Sequence, residues 1–241
     1  MRARLRAIVN HYFVNNHPIR LFGRIRMRKL HLGIAAVAGA AILSVASVQA
    51  QNGILGSPGT ANAAGVTAGT YKADPGHTLI SWNVNHFGFS DYFGLFGDVN
   101  GTLTLDPANI AATKLDVTIP VSKVTTASAG LTEHLLRAGK DGAAPDFFGP
   151  APADATFKST SVTAKGATAA TIVGDLTLNG VTKPVTVEAE FVGAGKHPFN
   201  QKETVGFKGT AQIKRSEFNI KAALPMVTDT VDLEIAVAFE K

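Results

Sequence analysis

The chain has 241 residues, 45% of them apolar and 17% charged. That composition supports a packed core and excludes a disordered chain. It holds no Cys, which excludes disulfides, thiolate metal sites, iron–sulfur clusters and cysteine nucleophiles. The formal net charge is +5, but eight of the 23 Lys/Arg and none of the 18 Asp/Glu lie in residues 1–50. The remainder therefore carries 15 Lys/Arg against 18 Asp/Glu, a net −3. Such a balance gives no basic footprint for nucleic acid.

In chain order, Arg28, Lys29 and His31 precede an apolar run over 32–48 that ends in Val48-Gln49-Ala50. A basic start, an apolar centre and a small-x-Ala site predict a secretory signal peptide over 27–50. Met27 is its natural start, and residues 1–26 are an N-terminal extension. An uncleaved anchor is the alternative, because the run approaches the ~20 residues a spanning helix needs. Its Ala and Gly content favours a signal. Residues 51–69 hold five Gly, four Ala, one Pro and no charge, which predicts a flexible linker. Cleavage after Ala64 is a second option. The folded domain is expected over 70–241.

Period-two alternation then recurs. Ile80, Trp82, Val84 and His86 share one face. Val99, Gly101, Leu103 and Leu105 follow, then Leu115, Val117 and Ile119. Phe157 opens a run that ends near Val162. Gly174, Leu176 and Leu178 alternate next, then Val185, Val187, Ala189 and Phe191. Val205, Phe207, Ala211 and Ile213 form the seventh run, and Val231, Leu233, Ile235, Val237 and Phe239 the eighth. One apolar face per run predicts antiparallel strands with one wet side. Asn179-Gly180 is a two-residue hairpin signal, and Asp106-Pro107 marks another turn. Eight such strands without an edge make an all-β, eight-stranded up-and-down barrel, whose interior can hold one small ligand. Residues 128–140 break the pattern, with Leu131, Leu135 and Leu136 at helical spacing and Gly139 at the stop. This predicts a short helix and loop over one end, either a plug or a lid.

The ordered segments resemble one family. They are Asp74-Pro75-Gly76-His77-Thr78, Trp82-Asn83-Val84-Asn85-His86-Phe87-Gly88-Phe89-Ser90, Gly94-Leu95-Phe96-Gly97, Asp146-Phe147-Phe148, Phe157-Lys158-Ser159-Thr160, Gly174-Asp175-Leu176-Thr177-Leu178-Asn179-Gly180 and Arg215-Ser216-Glu217-Phe218-Asn219-Ile220. Together they are similar to the YceI-like polyisoprenoid-binding proteins over 71–241. The resemblance implies a lipocalin-like barrel with a small helical insertion, located in the periplasm. It implies that a long isoprenoid chain, such as a quinone or polyprenyl phosphate, is held and carried, with no catalysis and no required cofactor or metal. Leu131-Thr132-Glu133-His134-Leu135-Leu136-Arg137 departs from the family's Arg-Asp-x-His-Leu-Arg run. That departure puts head-group identity in question.

An apolar lining is expected from Trp82, Val84, His86, Phe87, Phe89, Phe93, Phe96, Leu135, Phe147, Phe148, Phe157, Leu176, Phe207 and Phe218. His86 falls on the inward face by register. It is either a head-group contact or a core histidine satisfied by backbone or water. His134 and Arg137 are the other head-group candidates, or simply solvated. Metal ligand spacing is lacking, since His77 and His86 fall on opposite faces of a continuous strand and no HExxH helix exists. Gly88-Phe89-Ser90-Asp91-Tyr92 lacks the last Gly of a nucleophile elbow, and Gly195-Lys196-His197 lacks the rest of a phosphate loop. The competing readings are an enzyme on a hydrophobic substrate with His86 as acid/base, and a filled-barrel stress-related interaction module. Transient membrane contact and a homodimer through apolar surface near the insertion are compatible with this pattern.

Overall fold

A computed structural model describes residues 56–241. The signal peptide and N-terminal extension expected over 1–50 lie outside the described residues. The strands are β1 (Gly69–Ala73), β2 (Leu79–His86), β3 (Ser90–Phe96), β4 (Asn100–Leu105), β5 (Lys114–Ile119), β6 (Thr125–Thr126), β7 (Ala155–Ala164), β8 (Ala169–Leu178), β9 (Val181–Lys196), β10 (Glu203–Lys214) and β11 (Thr230–Glu240), with one α-helix, α1 (Ala129–Leu136).

The eleven segments make eight barrel strands. β1 and β2 are two halves of one strand broken at 74–78. β3 with β4, and β5 with β6, are two more broken strands. This follows from the pairing: β1 pairs β4, β2 pairs β3, β4 pairs β5 and β3 pairs β6, all antiparallel. β5 then pairs β7, and the ladder runs through β8, β9, β10 and β11. β11 closes the ring, pairing β2 through residues 232–236 and β1 through Glu240 and Phe239. The eight alternating runs read from the sequence fall in β2, β4, β5 and β7–β11. The halves β1, β3 and β6 were not among them.

Local chemistry sets the breaks. Asp74 Oδ1 accepts from Gly76 N–H at 3.0 Å and its Oδ2 sits 2.6 Å from His77 Nδ1. This Asx-type turn bends the first strand. The Asn179-Gly180 turn has φ 49° and 75° at its two residues, as a type I′ hairpin requires. Asp106 Oδ1 accepts from Ala108 N–H at 3.0 Å in the β4–β5 turn. Two register shifts interrupt the alternation, at Thr160 in β7 and at Val192 in β9. A bulge moves every later side chain to the other face, which is why Phe157 and Val162, five residues apart, are both buried.

The up-and-down order puts the β2–β3 turn, α1, the β8–β9 turn and residues 215–229 at one end, the helix end. The loops over 106–113, 165–168 and 197–202 lie at the other, the far end. Ser128 caps α1, accepting from Leu131 N–H at 3.4 Å. Leu135 and Leu136 pack against Trp82, Val124 and Val231. Arg215 organises residues 215–229. It is buried, and its guanidinium donates to the carbonyls of Thr228 (2.8 Å), Ile220 (3.1 Å), Ala222 (2.8 Å) and Val227 (2.9 Å). An unpaired buried carbonyl costs about 1–3 kcal/mol. Arg215→Ala strands several at once and is expected to lower the unfolding free energy by ~3 kcal/mol or more in urea titrations. Arg215→Lys, with fewer donors and no planar fork, falls between.

Candidate functional site: an apolar chamber

A cavity of about 290 Å³ runs inside the barrel. Its wall is mainly aliphatic: Val99, Leu103, Leu115, Val117, Val187, Leu233, Ile235 and Val237 face it. The interior of an eight-stranded barrel is just wide enough for side chains to fill. Space remains here because Ala170, Ala189, Gly209 and Ala211 also line it. A Cβ on Gly209 would stand 3.1 Å from Val187 Cγ1 and 3.6 Å from Ile235 Cδ1, so this glycine leaves room between them.

The two ends differ. At the helix end the lining residues Ile119, Val121, Ala155, Leu178 and Val185 are all buried. Phe218, 1% exposed, and Ile220 pack with them, as do Phe147 and Phe148. At the far end the lining includes Pro107, Ala164, Gly166, Ala167 and Thr168, all exposed. The chamber is therefore closed at the helix end and reaches solvent at the far end.

A segment expected to be linker crosses that mouth. Thr60 bridges to Ala194, donating N–H to its carbonyl at 3.0 Å and accepting at 2.9 Å. Asn62 caps a short 3-10 turn (Ala63–Gly65) through its side chain. Ala63 and Val66 line the cavity. Thr67 then meets Glu203: its N–H donates to Oε1 and its hydroxyl to Oε2, both at 2.7 Å. The Tyr71 hydroxyl lies 2.6 Å from Glu203 Oε1 and from the Thr67 carbonyl. Lys241 Nζ donates to Thr67 Oγ1 at 2.8 Å and to the Ala68 carbonyl at 2.7 Å. Burial alone would raise the Glu203 carboxyl. The Tyr71 and Thr67 hydrogen bonds and the Lys241 charge outweigh it and hold the group below the ordinary glutamate value. Burial, with Glu203 beside it, pushes the Tyr71 phenol up.

Of the expected lining residues, Phe96, Phe157, Leu176 and Phe207 do face the cavity. Phe218 lies beneath its closed end. Trp82, Val84, Leu135 and Phe148 meet instead in a cluster between barrel and helix, and Phe147 packs on His134 with ring centroids 5.3 Å apart. Phe87, Phe89 and Phe93 stand outside the cavity, with Phe89 89% exposed. The inward placement of His86 is corrected. β2 pairs β11 only as far as Asn83, and beyond it the β2–β3 hairpin lies along residues 226–228, with His86 bridging Val227. His86 is exposed there and contacts Phe87, ring centroids 4.1 Å apart. His86 therefore lies outside the chamber. His134 and Arg137 do come together, both on Asp146 Oδ2 at 2.9 and 3.0 Å. His134 foremost, then Arg137, hold the Asp146 carboxyl below its ordinary range. This trio ties α1 to the following loop at the closed end. The small and aliphatic lining is present in the alternation of the strands, in residues smaller than the expected aromatic ones. Among the described residues no three His, Asp or Glu are grouped to hold a metal, and no helix is long and apolar enough to cross a membrane.

Fold and chamber together define a lipocalin-like antiparallel barrel with an apolar interior. Residues 71–239 match the family model described as YceI-like domain. The chain is 41% identical over 179 residues to Protein YceI of Escherichia coli O157:H7, covering 73% of this chain and 89% of that protein. The crystal structure of the Campylobacter jejuni YCEI protein is 31% identical with a TM-score of 0.55, covering 65% of this chain and 89% of that one. Burkholderia cenocepacia BcnA is 25% identical with a TM-score of 0.58, covering 69% and 98%. The chain belongs to the YceI-like family.

The lowered Glu203 group has a pH consequence. A depressed carboxylate adds stability above its unfolded value, about 4.3 for glutamate, which is lost as pH falls through the lower folded value. Melting temperatures of wild type and Glu203→Gln are expected to differ at neutral pH and to converge as the pH falls below that range.

Proposed function

We propose that the protein binds a long-chain isoprenoid lipid inside the barrel and carries or sequesters it in the periplasm without transforming it. The observation that carries this is the chamber, aliphatic along its wall, closed at one end and open to solvent at the other. A prenyl chain needs no hydrogen-bond partner along its length, and each buried CH₂ contributes about 0.8 kcal/mol. Membership of the YceI-like family supports a binding role. The proposed ligand is a quinone or a polyprenyl phosphate. Its tail points to Phe218, and its head group rests at the far end rather than near His86, His134 and Arg137. The basic and apolar run before Gln51 supports export.

Titration with geranylgeraniol, followed by calorimetry, tests this reading. Ala211→Phe adds a ring to the chamber and is expected to weaken binding roughly tenfold or more, an effect of about 1.4 kcal/mol or above. Arg137→Ala, at the closed end, leaves the affinity unchanged. Equal binding by wild type and a folded Ala211→Phe variant would contradict the proposal.

A further inference from the structure

The segment over 58–68 does more than connect the barrel to what precedes it. It has a seat. Pro58 and Thr60 lie along the stretch of β9 that β8 leaves uncovered, since the β8–β9 ladder ends at Glu190. Gly193 and Gly195 face it there. A Cβ on Gly193 would come 3.0 Å from the Thr60 carbonyl oxygen, and one on Gly195 would overlap the Pro58 carbonyl. Two glycines at alternate positions thus permit a backbone to lie flat on this edge. It also has a latch, because Thr67 and Ala68 are held by Glu203 and Lys241. Between seat and latch, Ala63 and Val66 stand in the wall of the cavity mouth.

We propose that residues 58–68 form a strap that narrows the mouth and so gates the chamber, and that a ligand passes the far end faster when the strap lifts. The inference rests on the chamber being the ligand site. The helix end is sealed by Phe218, Ile220 and their neighbours, so traffic has to use the mouth the strap crosses. The strap is built to lift more readily than the barrel. Its 3-10 turn contains no buried residue, and Val66 is its contribution to the core beneath. An element held by hydrogen bonds with little apolar burial belongs to the low-stability end of local opening.

The absence of cysteine from the sequence provides a test that needs no ligand. Ala211→Cys places a single thiol in the chamber wall, and its modification by N-ethylmaleimide reports access through the mouth. The full chain carrying this thiol is compared with the same chain bearing Gly195→Val, which fills the seat, or Thr60→Pro, which removes the N–H donated to Ala194. Both are expected to speed modification about tenfold or more while the melting temperature of the barrel is kept. If Gly195→Val fails to fold, Thr60→Pro decides, because it alters the strap alone. Equal rates in the folded proteins overturn the gate. Geranylgeraniol binding at equilibrium is measured on the same variants. Intact binding with ungated thiol access strikes the gate alone. Gated access with no binding by wild type strikes the ligand reading and leaves the gate standing.

Discussion

β11 has to satisfy two neighbours along one edge. Its first half pairs β2 and its last residues pair β1, and this is what turns an open sheet into a closed barrel. The Asp74 turn makes the sharing feasible, because it bends the first strand between the two contacts. A closed ring leaves little exposed edge to pair with another chain, and Thr60 pairs with Ala194 on the stretch of β9 beyond Glu190. The ring also fixes which face of every strand is interior. The chamber, its closed end and its mouth all follow from that closure.

Whether a closed barrel is solid or hollow depends on what its inner face carries. Eight strands leave an interior that large side chains fill. Here Phe218, Phe147, Phe148 and Ile220 crowd the helix end, while Ala170, Ala189, Gly209 and Ala211 thin the wall further along. The aromatic residues therefore close the chamber and the small ones create it. Trp82 belongs to the sealing side. Its ring lies over Gly94, where any Cβ would overlap it, and α1 packs against it. The helical insertion thus acts on the closed end as a plug, and the mouth is crossed by a segment from the other side of the sequence.

Much of the barrel was legible in the sequence because alternation is a direct record of inside and outside. The eight runs, the Asn179-Gly180 hairpin and α1 were all readable. β1 was not, since Gly-Thr-Tyr-Lys-Ala offers one large apolar residue. Nor was β3, where Phe93 and Leu95 face solvent and Gly94 faces the interior. His86 had the correct parity for an inward residue, but parity carries no information about where the barrel wall stops. The site was harder to read than the fold. A cavity is made by atoms that are missing, and an alanine or glycine in an alternating run carries no mark of the space it leaves. The position of the mouth depends on which end is packed, and the strap on a pairing between residues 134 apart, Thr60 and Ala194. Neither leaves a local signal.

Everything proposed for the chamber depends on its holding a lipid in the working protein. Native mass spectrometry of the exported protein, purified gently from its own source and then extracted with solvent, addresses it most directly. One bound isoprenoid per chain is expected, and its extracted mass names the head group. A clean unliganded mass, with no lipid taken up on later titration with geranylgeraniol, would contradict it.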